Sequence, residues 1–162
     1  MYESPDVLRR VWTVHEGVVA KNLGEARGHL QNAAFDIGKR TFLYTKPPVM
    51  ERCDGHVIRS SSREINWTLT TVNMKCRGMV VMSENNAPGW IALVDGQPPM
   101  IYDAYTTLRG VVLGAGRHTI EMRYRPVSVM AGAAATLLAM LAGIATWIVP
   151  VFRRWRMAGQ NR

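Results

Sequence analysis

Asn85, Asn86, Trp90 and Asp95 lie within one short stretch, GluAsnAsnAlaProGlyTrp followed by IleAlaLeuValAspGly. An indole face suits the apolar face of a pyranose, and carboxamides and a carboxylate suit its hydroxyls, so these four residues are candidate saccharide contacts. Each also has a plainer reading. Trp90 can be a core tryptophan locked by a turn, and Asp95 ahead of Gly96 can be turn chemistry alone. No second carboxylate can be set opposite Asp95 from the sequence, as paired-carboxylate glycoside hydrolysis requires, so no catalytic residue is assigned. Arg109 is a candidate contact for an anionic carrier lipid or polymer, or else a strand arginine whose neighbour Gly110 marks close backbone approach.

The remaining reactive residues are sparse. His15, His29, His56 and His118 are widely separated, with no ligand pair at helical spacing, so neither a metal site nor a cofactor is expected. Ser60-Ser61-Ser62 lacks the Gly-x-Ser-x-Gly context of a nucleophile elbow and reads as a turn. If that turn covers Ser61 to Glu64, an antiparallel hairpin pairs residues whose numbers sum to about 125. Cys53 and Cys76 then fall just beyond the strand ends. They are a candidate disulfide in an oxidising exterior, or two unpaired thiols.

The elements that must position these residues are mostly strands. Val11 to His15 and Thr41 to Tyr44 read as strands, and Leu23 to Ala34 as one short amphipathic helix. Ile65, Trp67 and Leu69 alternate with Asn66, Thr68 and Thr70, which predicts a dry face on the first set. Ile120, Met122 and Tyr124 alternate with Thr119, Glu121 and Arg123 in the same manner. Met79 to Met82 and Trp90 to Val94 are apolar throughout, as strands buried on both faces would be. Pro88-Gly89, Asp95-Gly96 and Gly114-Ala115-Gly116 supply reversals, and Asp95-Gly96 predicts a hairpin turn. Short strands punctuated in this way point to a mainly β domain, a β-sandwich or jelly-roll-like fold with one short α-helix.

From Val127 to Phe152 the chain carries no charge. A bilayer-crossing helix needs about 20 mostly apolar residues, so this run is long enough. Arg153, Arg154 and Arg156 follow it with Trp155, a flank suited to the cytoplasmic interface. The net charge is +8 over 162 residues. With Arg162, these arginines make up half of that excess, and no basic stripe occurs elsewhere, so nucleic acid is not an expected partner. The expected organisation is an α/β segment over 1–55 packed on the sheet and a β-sandwich over 56–126. A transmembrane helix over 127–152 and a basic cytoplasmic tail over 153–162 complete it. Met1 to Asp6 has neither a basic n-region nor an apolar h-region, so the chain is expected to belong to a longer membrane protein. Ala135, Ala139 and Gly143 recur every fourth residue, a face suited to packing against other membrane helices.

An ordered series of short motifs runs through the domain: Met79-Val80-Val81-Met82, Pro88-Gly89-Trp90, Val94-Asp95-Gly96, Leu108-Arg109-Gly110-Val111, Gly116-Arg117-His118 and Tyr124-Arg125-Pro126. This series resembles the C-terminal end of the YfhO-like bacterial membrane proteins. Tyr2 to Asp6 and Val14-His15 resemble that family's segment after its last long membrane region. Asn85-Asn86-Ala87 stands where aromatic residues are common in the family, and the cysteines are a further departure. The family resembles membrane-embedded glycosyltransferases of the C fold class, whose catalytic carboxylates lie in another region. The resemblance implies a non-catalytic extracytoplasmic accessory domain plus last membrane helix of a lipid-linked-sugar glycosyltransferase in the bacterial cytoplasmic membrane. The alternative, from another class, is a membrane-anchored carbohydrate-binding module. Expected partners are the bilayer, other transmembrane helices, and a cell-envelope glycan or polyprenyl-linked sugar.

Overall fold

Two four-stranded sheets face each other in a computed structural model that describes residues 8–53 and 56–159. In chain order the elements are β1 (Val11–Val14), β2 (Glu16–Val19), α1 (Leu23–Gln31), β3 (Arg40–Leu43), β4 (His56–Glu64), β5 (Trp67–Met74), β6 (Gly78–Asn85), β7 (Trp90–Val94), β8 (Ile101–Ala104), β9 (Leu108–Leu113), β10 (Gly116–Tyr124) and α2 (Val127–Gly159). One sheet has the order β1-β6-β9-β8 and the other β4-β5-β10-β7, with every neighbouring pair antiparallel. β2 and β3 form a separate parallel pair. The domain is thus a mainly β sandwich, as its alternating strands predict.

The core follows from side-chain alternation. Val11, Val80, Met82, Val111 and Leu113 of the first sheet meet Val72, Met74, Ala92, Ile120 and Met122 of the second. Apart from Ala92, each of these buried side chains stabilises the fold by about 1.5–3 kcal/mol. The other face of the first sheet is also covered. Trp12, Val14, Met79 and Val81 pack there with Leu43 and Ala104, and beyond them Ala20, Ala26, Phe35 and Phe42 form a third small core. β6 is therefore dry on both faces, which explains its uninterrupted apolar run. β1 pairs with β6 residue for residue. The boundary expected at residue 55 is corrected accordingly: the first strand is part of the sandwich, and the described residues up to Arg125 form one compact unit.

Several local expectations are also corrected. The chain turns at Ile65-Asn66, where Ile65 is 94% exposed, and Ser60-Ser61-Ser62 lie inside β4. The dry face of β5 is the opposite one: Thr68, Thr70, Val72 and Met74 are buried. The register with β10 decides this, because Met122 opposes Thr68 and Ile120 opposes Thr70, and cross-strand neighbours share a face. Trp67 faces outward, its indole N–H donating to Glu121 Oε1 at 2.6 Å. β7 is an edge strand, not one buried on both sides, and Ile91 is exposed. In α1 it is Ala26 that packs inward, while Leu23 and Leu30 face out. Asn22 caps the helix, accepting from the Glu25 N–H at 2.9 Å.

Between β5 and β6 the chain changes sheets through Lys75-Cys76-Arg77. Cys76 is disulfide-bonded to Cys53, with a Cα–Cα separation of 6.3 Å, which selects the first of the two readings of these cysteines. The corner is also tied by backbone. The Glu51 N–H donates to the Arg77 carbonyl at 2.8 Å, and the Arg77 N–H donates to the Glu51 carboxylate at 3.1 Å.

α2 forms the second unit. Its stretch Val127–Thr146 is 20 residues long with a mean hydropathy of 2.0, long and apolar enough to cross a bilayer. Its two threonines spend their hydroxyls within the helix, Thr136 on the Gly132 carbonyl and Thr146 on the Gly143 carbonyl. That leaves no unmet donor at either position in an apolar surrounding.

Candidate functional site

The end of the sandwich where β6 passes into β7 is built around Trp90. Gly89 takes a φ of 106°, a conformation natural to glycine, and its carbonyl accepts from the Arg125 N–H at 2.7 Å. This turn delivers Trp90 to the first position of β7, opposite Tyr124. The two rings lie 5.2 Å apart, tilted by 43°. Trp90 shares the inward face with Ala92, and so closes the core at this end.

Beneath it lies an ion pair whose arginine is buried and whose glutamate is half-buried. Arg109 falls on the inward face of β9 with Val111 and Leu113, and is 1% exposed. Its guanidinium stands 3.7 Å from the Trp90 ring centroid and is paired with the Glu84 carboxylate, which comes from the inward face of β6. Arg109 is thus turned inward and is not presented to an external anion, which corrects that expectation. A cation over an indole is favourable, more so when desolvated. It also occupies one ring face that would otherwise be open for stacking.

Outside Trp90 is an open cleft of about 410 Å³ lined by Asn86, Ala87, Pro88, Gly89, Trp90, Ile101 and Asp103. The Asn86 side-chain N–H donates to Asp103 Oδ1 at 2.7 Å, while its backbone N–H donates to the Thr107 carbonyl at 2.7 Å. The cleft therefore offers a fixed amide and carboxylate beside an apolar wall of Pro88, Ile101 and the indole. Such a mixture can accept sugar hydroxyls on one side and a ring face on the other.

Of the sequence candidates, the fold brings Asn86 and Trp90 to this cleft and places Arg109 behind it. Asn85 is exposed at the end of β6 and does not line it. Asp95 stands apart, at the opposite end of β7, a strand of five residues. It occupies a two-residue turn with φ of 50°, followed by Gly96 at 83°, values of the type I′ class. Its Oδ1 accepts the Thr119 N–H at 2.8 Å and its Oδ2 lies 2.7 Å from His118 Nδ1. The Thr119 N–H, followed by His118, holds the Asp95 carboxyl below the usual carboxylate range. Asp95 thus serves the turn, the plainer of its two sequence readings. Asp103 and Glu84 went unnoticed in the sequence. For Glu84 a signal was present, since it keeps the inward parity of Val80 and Met82; for Asp103 there was none, because its partner comes from another strand. Comparison with protein-family models, with curated proteins and with solved structures returns no match for the chain.

Proposed function

We propose that the chain is the non-catalytic extracytoplasmic β-sandwich and last membrane helix of a YfhO-like lipid-linked-sugar glycosyltransferase, with the sandwich at the outer face of the bacterial cytoplasmic membrane. The observation that carries this reading is the junction. β10 ends at Tyr124, and Arg125 and Pro126 alone separate it from the apolar helix that begins at Val127. A globular sandwich followed so closely by an apolar span of this length suits a domain held against a bilayer. The sidedness rests on Arg153, Arg154 and Arg156 beyond the span.

Two experiments address it. Reporters active on only one side of the membrane, fused after Arg162, should report a cytoplasmic C-terminus; an externally active fusion overturns the orientation. A photo-crosslinker at Ala139 of the longer membrane protein should link this helix to other membrane helices of the transferase; capture of lipid alone overturns its packing within that protein.

A second reading is favoured by the cleft: a membrane-anchored carbohydrate-binding module that contacts saccharide through Asn86, Asp103 and the Trp90 edge. Titration of the full chain in detergent with envelope oligosaccharides should shift the Trp90 indole resonance, and Asn86→Ala or Asp103→Ala should weaken binding by roughly tenfold each. Absence of any saccharide-dependent shift removes this reading.

A further inference from the structure

At the other end of the sandwich three potential ligands separated widely in sequence converge. His15 follows β1, Cys53 precedes β4, and Cys76 lies in the β5–β6 connection. Their ligating atoms all lie within 4.8 Å of one another. His15 Nδ1 is 3.5 Å from Cys76 Sγ and 3.9 Å from Cys53 Sγ. The imidazole has been given room by a glycine: a Cβ on Gly78 would stand 2.6 Å from both Cε1 and Nδ1 of His15. The ring is thus held over the sulfurs by the absence of a side chain at the start of β6.

We propose that reduction of the Cys53–Cys76 bond converts this corner into a Cys2His site for a soft or borderline d10 cation, with Zn2+ as the representative. The geometry is close to what such an ion needs. Tetrahedral bonds of about 2.3 Å to sulfur and about 2.0 Å to nitrogen imply N···S edges of about 3.5 Å and an S···S edge of about 3.8 Å. The Cys76 N···S distance of 3.5 Å already matches the first value and the Cys53 distance of 3.9 Å exceeds it by about 0.4 Å, so the sulfurs must separate and Cys53 Sγ must close slightly on Nδ1. The reductant is a dithiol of the thioredoxin class. One of its thiolates attacks a cysteine sulfur, its second thiol resolves the mixed disulfide, and it leaves oxidised, having passed two electrons and two protons to the cysteines. The cation then displaces the two thiol protons, leaving two thiolates and a neutral histidine as ligands. In the disulfide form the His15 Nδ1–H donates to the Glu51 carbonyl at 3.1 Å; ligation through Nδ1 gives up this bond and moves the imidazole proton to Nε2. Water or a fourth ligand from solution completes the shell. Oxidation re-forms the disulfide and expels the ion, making the site redox-gated.

The test uses the full chain in detergent, reduced with a phosphine that is then removed under argon. Titration with Co2+ should give thiolate-to-cobalt absorption saturating at one ion per chain. Zn2+ should displace the Co2+, and about two protons should be released per ion bound. The oxidised protein and the Cys53→Ser/Cys76→Ser variant should show none of this absorption. His15→Ala should weaken binding by roughly 100-fold, and His15→Gln gives the same comparison if the alanine variant folds poorly. No thiolate–cobalt band in the reduced wild type overturns the proposal. So does unchanged affinity in both His15 variants, which would mean that the ion had met only two loose thiols.

Discussion

Removing the Cys53–Cys76 bond should weaken the sandwich by an amount set mainly by the unfolded chain. The folded corner keeps its other ties, the hydrogen bonds between Glu51 and Arg77 and the Arg77 Nε–H bond to the Val49 carbonyl at 2.9 Å. What is lost is the closure of a loop with a sequence separation of 23. The chain-entropy relation for a loop of that length gives about 3.4 kcal/mol at room temperature. Against a total stability of roughly 5–15 kcal/mol, the reduced domain should remain folded. With a urea slope of about 1.5 kcal/mol per molar, the midpoint should fall by about 2 M. The assay is urea unfolding of the full chain in detergent, followed by tryptophan fluorescence, for the oxidised wild type and for Cys53→Ser/Cys76→Ser. Reduction of the wild type in metal-free buffer should reproduce the shift. A midpoint change under about 0.5 M would refute the reasoning, because the loop would then not be free in the unfolded state.

Three further outcomes are expected. The Tyr105 hydroxyl lies 2.5 and 2.6 Å from the carbonyls of Ile37 and Arg40, and burial pushes its phenol up to about 12. Stability should be intact below about pH 10 and fall as the pH rises towards 12, by up to about 2 kcal/mol; Tyr105→Phe, measured by denaturation at both limits, should remove this alkaline loss while costing about 1–2 kcal/mol at neutral pH. The lowered carboxyl of Asp95 stabilises the fold above its ordinary value of 3.8, and this contribution is lost as the pH falls through the folded value. Asp95→Asn should flatten that acid limb in thermal melts, keep the turn, and cost under about 1 kcal/mol at neutral pH because the side chain is 48% exposed. Gly110→Ala would set a Cβ 2.6 Å from Met79 Sδ and 3.3 Å from Ala104 Cβ; with Met79 fully buried, a loss of about 1–3 kcal/mol is expected in chemical denaturation, and Met79→Ala in the same chain should cost less than the two single changes together.

Local patterns told the truth where one strand's environment was decided by its own residues. Ile120 and Met122 on β10 and the dry run of β6 lie as their sequence implies. β5 misleads because Thr68 and Thr70 are polar by composition yet are carried inward by their pairing with β10, and pairing is not a local property. The same holds for β7, whose apolar residues read as central although it lies at a sheet edge. The cleft was half legible: Asn86 and Trp90 adjoin in sequence, while Asp103 reaches them only through the arrangement of β8 beside β9. Of the His15 cluster only the Cys53–Cys76 pair was legible, from the register of one hairpin; His15 reaches it from a third, separate connection.

β1 begins and β10 ends at the same end of the sandwich. β1 runs antiparallel to β6, with Val11 opposite Met82, and β6 leads through the Gly89 turn to Trp90, which pairs with Tyr124. A pull applied between Leu8 and Arg125 therefore does not load the strands in shear, with all their hydrogen bonds strained together. It peels them from one end, bond by bond. β1 is an edge strand of only four residues held by β6 alone in its sheet, so it should detach first and uncover Trp12 and Val14. Mechanically the domain is a zipper with its pull tab at the Trp90 end, which yields to a small force in the order β1 first.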